Sequence, residues 1–404
     1  MYLSEHKKAM GPTSACSDIL GGRIRVNLVV SPSRSAHRRP RLVTRAQVDK
    51  AEDHAVAVIG RHKPVYKNAN FPTDAEGRTY HLGTKEGEVA SRILSVGSVS
   101  RAQLLSNLLD PPTPGRPLFQ RTSSRGFLTI TGRYEGVPVS IVSTHMGQPN
   151  MDFVVRENRA VIRGQMAIVR LGTCGAVQRP AKLGDLLIAA HGSIAIRRDP
   201  DYWTLLDGHE SLLHKRNGAS SNGAANGTTA ATNGSSAAAL YGGFTGRKPY
   251  VTSLPVTANQ QLAALLAAEA ARVVGPDRVV EGLNASADSF YSSQGRTGSD
   301  FDDRNEGLLA DLVAAHPDLV SLEMETFQLL DLARCSKGSI KAIGMCVALA
   351  ERYSNAFLEY HKLEELEISG GTAALRALVR VPLDGPSEAE ADVLKERQVQ
   401  YVWT

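Results

Sequence analysis

Residues 167–175 read Ala167-Ile168-Val169-Arg170-Leu171-Gly172-Thr173-Cys174-Gly175, an apolar run that carries one arginine and breaks into small residues. The pattern predicts a strand entering a tight turn, where glycines permit close backbone approach and free N–H groups. Such a turn suits an anion of the phosphate type. Arg170 would supply two parallel donors and the Thr173 hydroxyl a third contact. The competing reading pairs Arg170 with a carboxylate and leaves the glycines only to turn the chain.

A second stretch, Asp288-Ser289-Phe290-Tyr291-Ser292-Ser293-Gln294-Gly295-Arg296, holds what a flat heterocycle needs. Phe290 can stack on a ring, Gln294 offers a donor beside an acceptor, and Arg296 offers a fork to a carbonyl oxygen. A uracil-like edge, two carbonyls flanking an N–H, matches that mix; an ordinary polar loop is the alternative. The third stretch, Leu322-Glu323-Met324-Glu325, is expected at the start of a helix over 321–336. Carboxylates at i and i+2 of a helix point to different sides, which argues against a metal pair or a glycosidase dyad. One of them beside Met324 could hold the vicinal hydroxyls and the apolar face of a sugar; helix N-terminal charge alone would also account for them.

Alternating strands and helices must position these stretches. A strand over 91–97 ends at Gly97, and a helix over 98–109 with Ser98 as N-cap follows, an order that leaves unpaired N–H groups for an anion. Segments 127–134 and 137–143 read as a hairpin turned by Glu135-Gly136. Helices are expected at 151–164, 258–274 and 372–379, and strands at 186–190, 279–285 and 340–349. Glu269 interrupts the apolar face of the second helix. The fold class is therefore α/β, a three-layer α/β/α arrangement with a mixed central sheet.

The chain has 404 residues, 42% of them hydrophobic, enough for a sizeable core. Its net charge of +5 is misleading, because residues 1–48 hold nine Lys/Arg against Glu5 and Asp18 and leave −2 for the rest. The body has no basic surface interleaved with aromatics, so no nucleic-acid partner is expected, and no 18-residue apolar run that would span a membrane. Four scattered cysteines argue for a reducing compartment, and the histidines lack ligand spacing, so no metal is expected. Residues 1–48 are expected to form a basic leader, 49–381 the folded domain with a low-complexity insertion at 217–239, and 382–404 a polar tail. The body is expected to begin near Ala55-Val56-Ala57-Val58-Ile59 or at Tyr80-His81-Leu82-Gly83. A cytoplasmic location is expected, an organellar one if the leader is a transit peptide.

Three separated motifs in this order resemble the nucleoside phosphorylase family of the hexameric type, and within it the members acting on uridine. The resemblance runs from Tyr80 to Val379 apart from the insertion. It implies reversible phosphorolysis of uridine to uracil and ribose 1-phosphate in pyrimidine salvage, with phosphate as co-substrate and no cofactor. It implies phosphate contacts from Gly97, Arg101, Arg170 and Thr173, and from Arg125 of a neighbouring subunit. Ribose contacts would come from Met324, Glu325 and Glu323, with His81 reaching across the same interface. Base contacts would come from Phe290, Gln294, Arg296 and Arg352. A homo-oligomer, dimer or hexamer, follows. Two departures stand out. Arg125-Gly126-Phe127 lacks the glutamate that binds a monovalent cation in relatives, and Ser143-Thr144-His145-Met146-Gly147-Gln148 replaces a glycine-rich version, with His145 read as a loop or core residue. Glu351 is the one candidate for the acid that purine-specific relatives use. A purine phosphorylase, a nucleosidase or a non-catalytic nucleoside-binding relative are the alternatives.

Overall fold

The computed structural model describes residues 65–112, 117–206, 247–298 and 300–404. The leader, the start at Ala55 and the insertion at 217–239 lie outside them. In chain order, β1 (Arg92–Val96) and α1 (Val99–Ser106) precede β2 (Phe119–Thr122), β3 (Leu128–Tyr134), β4 (Val137–Ser143), α2 (Gln148–Val161) and β5 (Met166–Ala176). Next come β6 (Leu186–Ile188), β7 (Ser193–Arg198), α3 (Pro200–Leu206), β8 (Tyr250–Thr252) and α4 (Gln260–Val274). After β9 (Val279–Glu281) and β10 (Leu283–Ala287) follow α5 (Leu308–Ala315), β11 (Leu319–Glu323) and α6 (Thr326–Cys335). The last elements are β12 (Ile340–Glu351), β13 (Ala356–Phe357), α7 (Tyr360–Arg380) and α8 (Glu388–Glu396).

One mixed sheet of 13 strands runs β2-β3-β4-β1-β5-β11-β10-β7-β8, with β12 joining β5 to β6 and β13. At its centre β5 pairs parallel with β1 and β12 and, at its far end, antiparallel with β11. Its residues are buried on both faces, as expected of a central parallel strand. Successive side chains alternate faces. Leu171 meets α7, where a Cβ on Gly370 would lie 3.0 Å from it, while Arg170 reaches the start of α6. Helices therefore cover both faces, with α4 packed on α7 and α2 on α6. Among the described residues no helix is long and apolar enough to cross a membrane.

Local chemistry explains most of these elements. The Ser98 hydroxyl accepts the Arg101 N–H at 3.2 Å and starts α1. Glu135 and Gly136 both have positive φ, +51° and +75°, as the tight turn between β3 and β4 requires. In α4, Glu269 is buried against Arg272 and Arg380, so the polar residue in its apolar face is ion-paired.

Four expectations need correction. Residues 172–175 are no turn: β5 continues through them, paired with β12, and their N–H groups serve the ladder. The helix expected over 321–336 is β11, a two-residue bend and α6, because Ser321 to Glu323 pair with β10. The strand expected over 279–285 is split at Gly282, where a Cβ would meet the Asp318 carbonyl at 2.7 Å. The helix expected at 372–379 is the end of α7, which starts at Tyr360 and passes through Gly370-Gly371. Those glycines weaken the helical signal but let α7 approach Leu171 and Leu105. The polar tail forms α8 behind a capping box of Ser387 and Glu390, and Val402 donates to Gly87 O at 3.0 Å.

A Cβ on Gly371 would lie 2.5 Å from Leu105 Cδ2, inside a packed core. Gly371→Val is therefore expected to destabilise the fold by about 1–3 kcal/mol through overpacking, seen as a lower urea midpoint at unchanged slope.

Candidate active site

Arg170 leaves β5 toward the bend between β11 and α6 and is 4% exposed. Its guanidinium pairs with Glu325 and lies 3.5 Å from Glu323, both 3% exposed. Gly172 makes this geometry attainable, since a Cβ there would fall 2.6 Å from the Arg170 Cζ. Burial alone would lower the arginine's pKa; Glu325 and Glu323 more than offset it and raise it. The two carboxylates converge because the chain changes from strand to helix between them, contrary to the divergence expected on one helix.

The two acids differ in what else they bind. Glu323 accepts from Asn284 Nδ2 at 2.9 Å, from Ser286 Oγ, from Glu325 N–H at 2.9 Å and from Thr326 N–H at 3.0 Å. Glu323, expected in the ribose clamp, is thus fully engaged by donors from β10 and from the start of α6. Burial opposes its ionisation, but Arg170, Ser286 and Asn284 hold it below its ordinary range. Glu325 accepts the Gly147 N–H at 2.6 Å besides Arg170, and burial raises its pKa. Met324 lies between them, half-buried.

The end of β1 approaches the same strand. Arg101 donates from Nη1 to Leu171 O at 3.4 Å, and its Nη1 lies 3.5 Å from where a Gly97 Cβ would stand. Glu367 of α7 takes the other side of this guanidinium at 2.6 and 2.7 Å. Gly97 and Arg101 thus adjoin β5 one residue from Arg170. Thr173 is half-buried and differs in parity from Arg170 along an unbroken strand, so its hydroxyl and the Arg170 stem leave opposite faces.

The 288–296 loop follows β10. Asn305 Nδ2 ties it together by donating to Ser292 O at 2.9 Å and Arg296 O at 3.0 Å. Gln294 is buried, and the Arg296 guanidinium stands 3.9 Å over the Phe290 ring. Arg352, whose stem crosses Gly175 at 2.8 Å from a notional Cβ, donates to Gly295 O at 3.2 Å and joins this group. Its Nη1 is buried without a hydrogen-bond partner. Burial and the Arg296 charge lower its pKa to about 10, and burial lowers that of Arg296. Neither arginine has a carboxylate partner among the described residues.

His81 and Arg125 form a second cluster that shares no hydrogen bond with Arg170 or the 288–296 loop. His81 stacks on Phe153 at 3.7 Å and holds Glu157 through Nδ1 at 2.7 Å, which leaves Nε2 for another partner. Arg125 donates to Tyr80 Oη at 2.7 Å and is exposed. Glu157, Glu367, Asn284, Ser286 and Asn305 were not singled out from the sequence, since each acts through contacts 9–266 residues away. Glu351 accepts from Ser354 and from Leu183 N–H, which lower its pKa, so it is held as an anion.

Sheet, helices and site together define a class: the chain belongs to the phosphorylase superfamily, whose family model matches residues 91–379. Within it, the chain is 31% identical over 340 residues to uridine phosphorylase of Thermococcus kodakarensis, covering 84% of this chain and 96% of that one. A solved structure from work on two uridine phosphorylases of the oomycete Phytophthora capsici is 40% identical, with a TM-score of 0.65 over 79% of this chain and all of that one. A nucleoside phosphorylase structure from Trypanosoma brucei, at 21% identity and a TM-score of 0.56, shares the fold. A purine nucleoside phosphorylase from Geobacillus matches over 115 residues, 46% of its length.

Two stability predictions follow from the buried charges. Gly172→Ala displaces the Arg170 guanidinium from its carboxylates and is expected to cost about 3–5 kcal/mol in urea unfolding. For Arg352 the folded-state pKa of about 10 lies below the ordinary arginine value, so the cost of burying its charge is present in full below pH 10 and relieved above it. Arg352→Met is therefore expected to stabilise the protein at pH 7 by about 1 kcal/mol, read as a raised urea midpoint, while weakening the site.

Proposed function

We propose that the chain catalyses phosphorolysis of uridine to uracil and ribose 1-phosphate. The observation that carries the reading is that β5 holds Arg170 against Glu325 and, at Gly175, lies against the stem of Arg352, which donates into the loop of Gln294 and Arg296 with no counter-charge for either loop-side arginine among the described residues. Phosphate is held between Arg170, Arg101 and the Gly97 turn, with the Thr173 hydroxyl approaching from the other face of β5. Glu325 exchanges Arg170 for the ribose diol, with Met324 against the sugar. Uracil stacks on Phe290, its edge toward Gln294 and Arg296.

A phosphate oxygen bonds to C1′ as the C1′–N1 bond breaks and its electron pair passes to the uracil ring. The ribose gains oxocarbenium character, while Gln294, Arg296 and Arg352 stabilise the charge on the base oxygens. Catalysis is positional and electrostatic, with no covalent enzyme intermediate. Residues holding the nucleophile and the leaving group are both present, which supports a catalyst over a storage protein. The anionic Glu351 supports a pyrimidine over a purine, whose departure needs a carboxylic acid there. We place His81 and Arg125 in a neighbouring copy's site, so the working unit is a homo-oligomer; pyrimidine salvage in the cytoplasm is the setting we assign, without a cofactor.

Uracil release from uridine is expected to require phosphate and to exceed release of hypoxanthine from inosine. Equal uracil release without phosphate would overturn the mechanism. Arg170→Lys keeps the charge facing Glu323 and Glu325 but loses the fork, and kcat/KM is expected to fall about 10²–10³-fold with the fold retained.

A further inference from the structure

We infer that His145 is a positioning residue that ties the Gly97 turn to the loop carrying Arg125 and thereby sets phosphate affinity. The inference rests on the reading of both segments as phosphate-binding. His145 follows β4 in a left-handed conformation, φ +59°, that side chains other than glycine seldom adopt. Two contacts hold the preceding residue to the end of β1. The Thr144 N–H donates to Val96 O at 2.7 Å, and the Thr144 hydroxyl bonds Ser95. The His145 carbonyl therefore backs Gly97, 3.9 Å from where a Cβ on that glycine would stand.

The ring extends the other way. Its Nε2 lies 3.0 Å from Gly126 O, and its edge meets Phe127 with centroids 5.0 Å apart. Because a carbonyl accepts, Nε2 carries the proton. Gly126 leaves space for the imidazole, which would stand 3.7 Å from a Cβ there. Residues 123–127 form a closed loop: Gly126 N–H donates to Ser123 O at 3.0 Å, Ser123 N–H to Phe127 O at 2.8 Å, and Ser123 Oγ accepts from Arg125 N–H at 3.3 Å. Fixing the Gly126 carbonyl thus fixes the backbone of Arg125. The histidine and the glycine, two separate departures from the family pattern, fit each other.

The test is steady-state kinetics of the full chain, varying phosphate and uridine separately. His145→Ala and His145→Gly, the latter free of backbone strain, are expected to raise the phosphate KM about tenfold and to move the uridine KM less than about twofold. His145→Gln retains an N–H for Gly126 O and is expected to restore most of the phosphate affinity. In an Arg125→Ala background, His145→Gly is expected to add nothing, because the tie acts through Arg125. If Arg125→Ala raises the phosphate KM and His145→Gly does not, or if their effects add, the tie is overturned while the phosphate site stands. If Arg125→Ala leaves the phosphate KM unchanged, the assignment of Arg125 falls, and the tie with it.

Discussion

A buried arginine facing two buried carboxylates constrains the centre of this molecule more than any other interaction. Charges this far from water are tolerated only when paired and hydrogen-bonded. That condition dictates Gly172, which leaves room for the guanidinium, and the polar tier of Asn284, Ser286 and Ser321 that supports Glu323. It also dictates the bend between β11 and α6, which brings Glu323 and Glu325 to one cation. The two acids differ in their partners: Glu323 is held by donors from β10 and the start of α6, while Glu325 accepts from Arg170 and Gly147.

A second consequence concerns exchange. Arg101 and Arg170 each rest on a carboxylate, Glu367 and Glu325. The desolvation of both arginines is thus already met in the fold, and in the proposed reaction phosphate replaces one anionic contact by another. The base side is built the other way. Arg296 and Arg352 lie close together, partly buried and without an acid partner among the described residues, and burial depresses both pKa values. Positive potential accumulates there at the expense of stability, and in the proposed reaction it lies where the leaving group gains negative charge.

Much of this was legible in the chain. The strand–glycine–helix order at 92–106, the hairpin turn at Glu135-Gly136 and the apolar strands β5 and β12 follow from local periodicity and turn chemistry. So did the three motif stretches, since an arginine in an apolar strand, a Phe–Gln–Arg loop and an acidic pair are each unusual where they stand. The capping box at Ser387 is legible too, although the polar tail around it gives no apolar periodicity to mark the helix.

What remained hidden depended on partners distant in sequence. Nothing near Arg170 shows that its strand continues through Gly172-Thr173-Cys174-Gly175; pairing with β12, 174 positions later at Gly344, decides that. Nothing in Leu322-Glu323-Met324-Glu325 shows how the two buried acids divide their partners, because that follows from donors on β10 and from Gly147. The amino-acid sequence by itself determined which residue types are present, how they are spaced and which short elements they favour. Tertiary structure alone decided which charges share a volume from which water is excluded, because the free energy of an ionised group depends on everything packed around it.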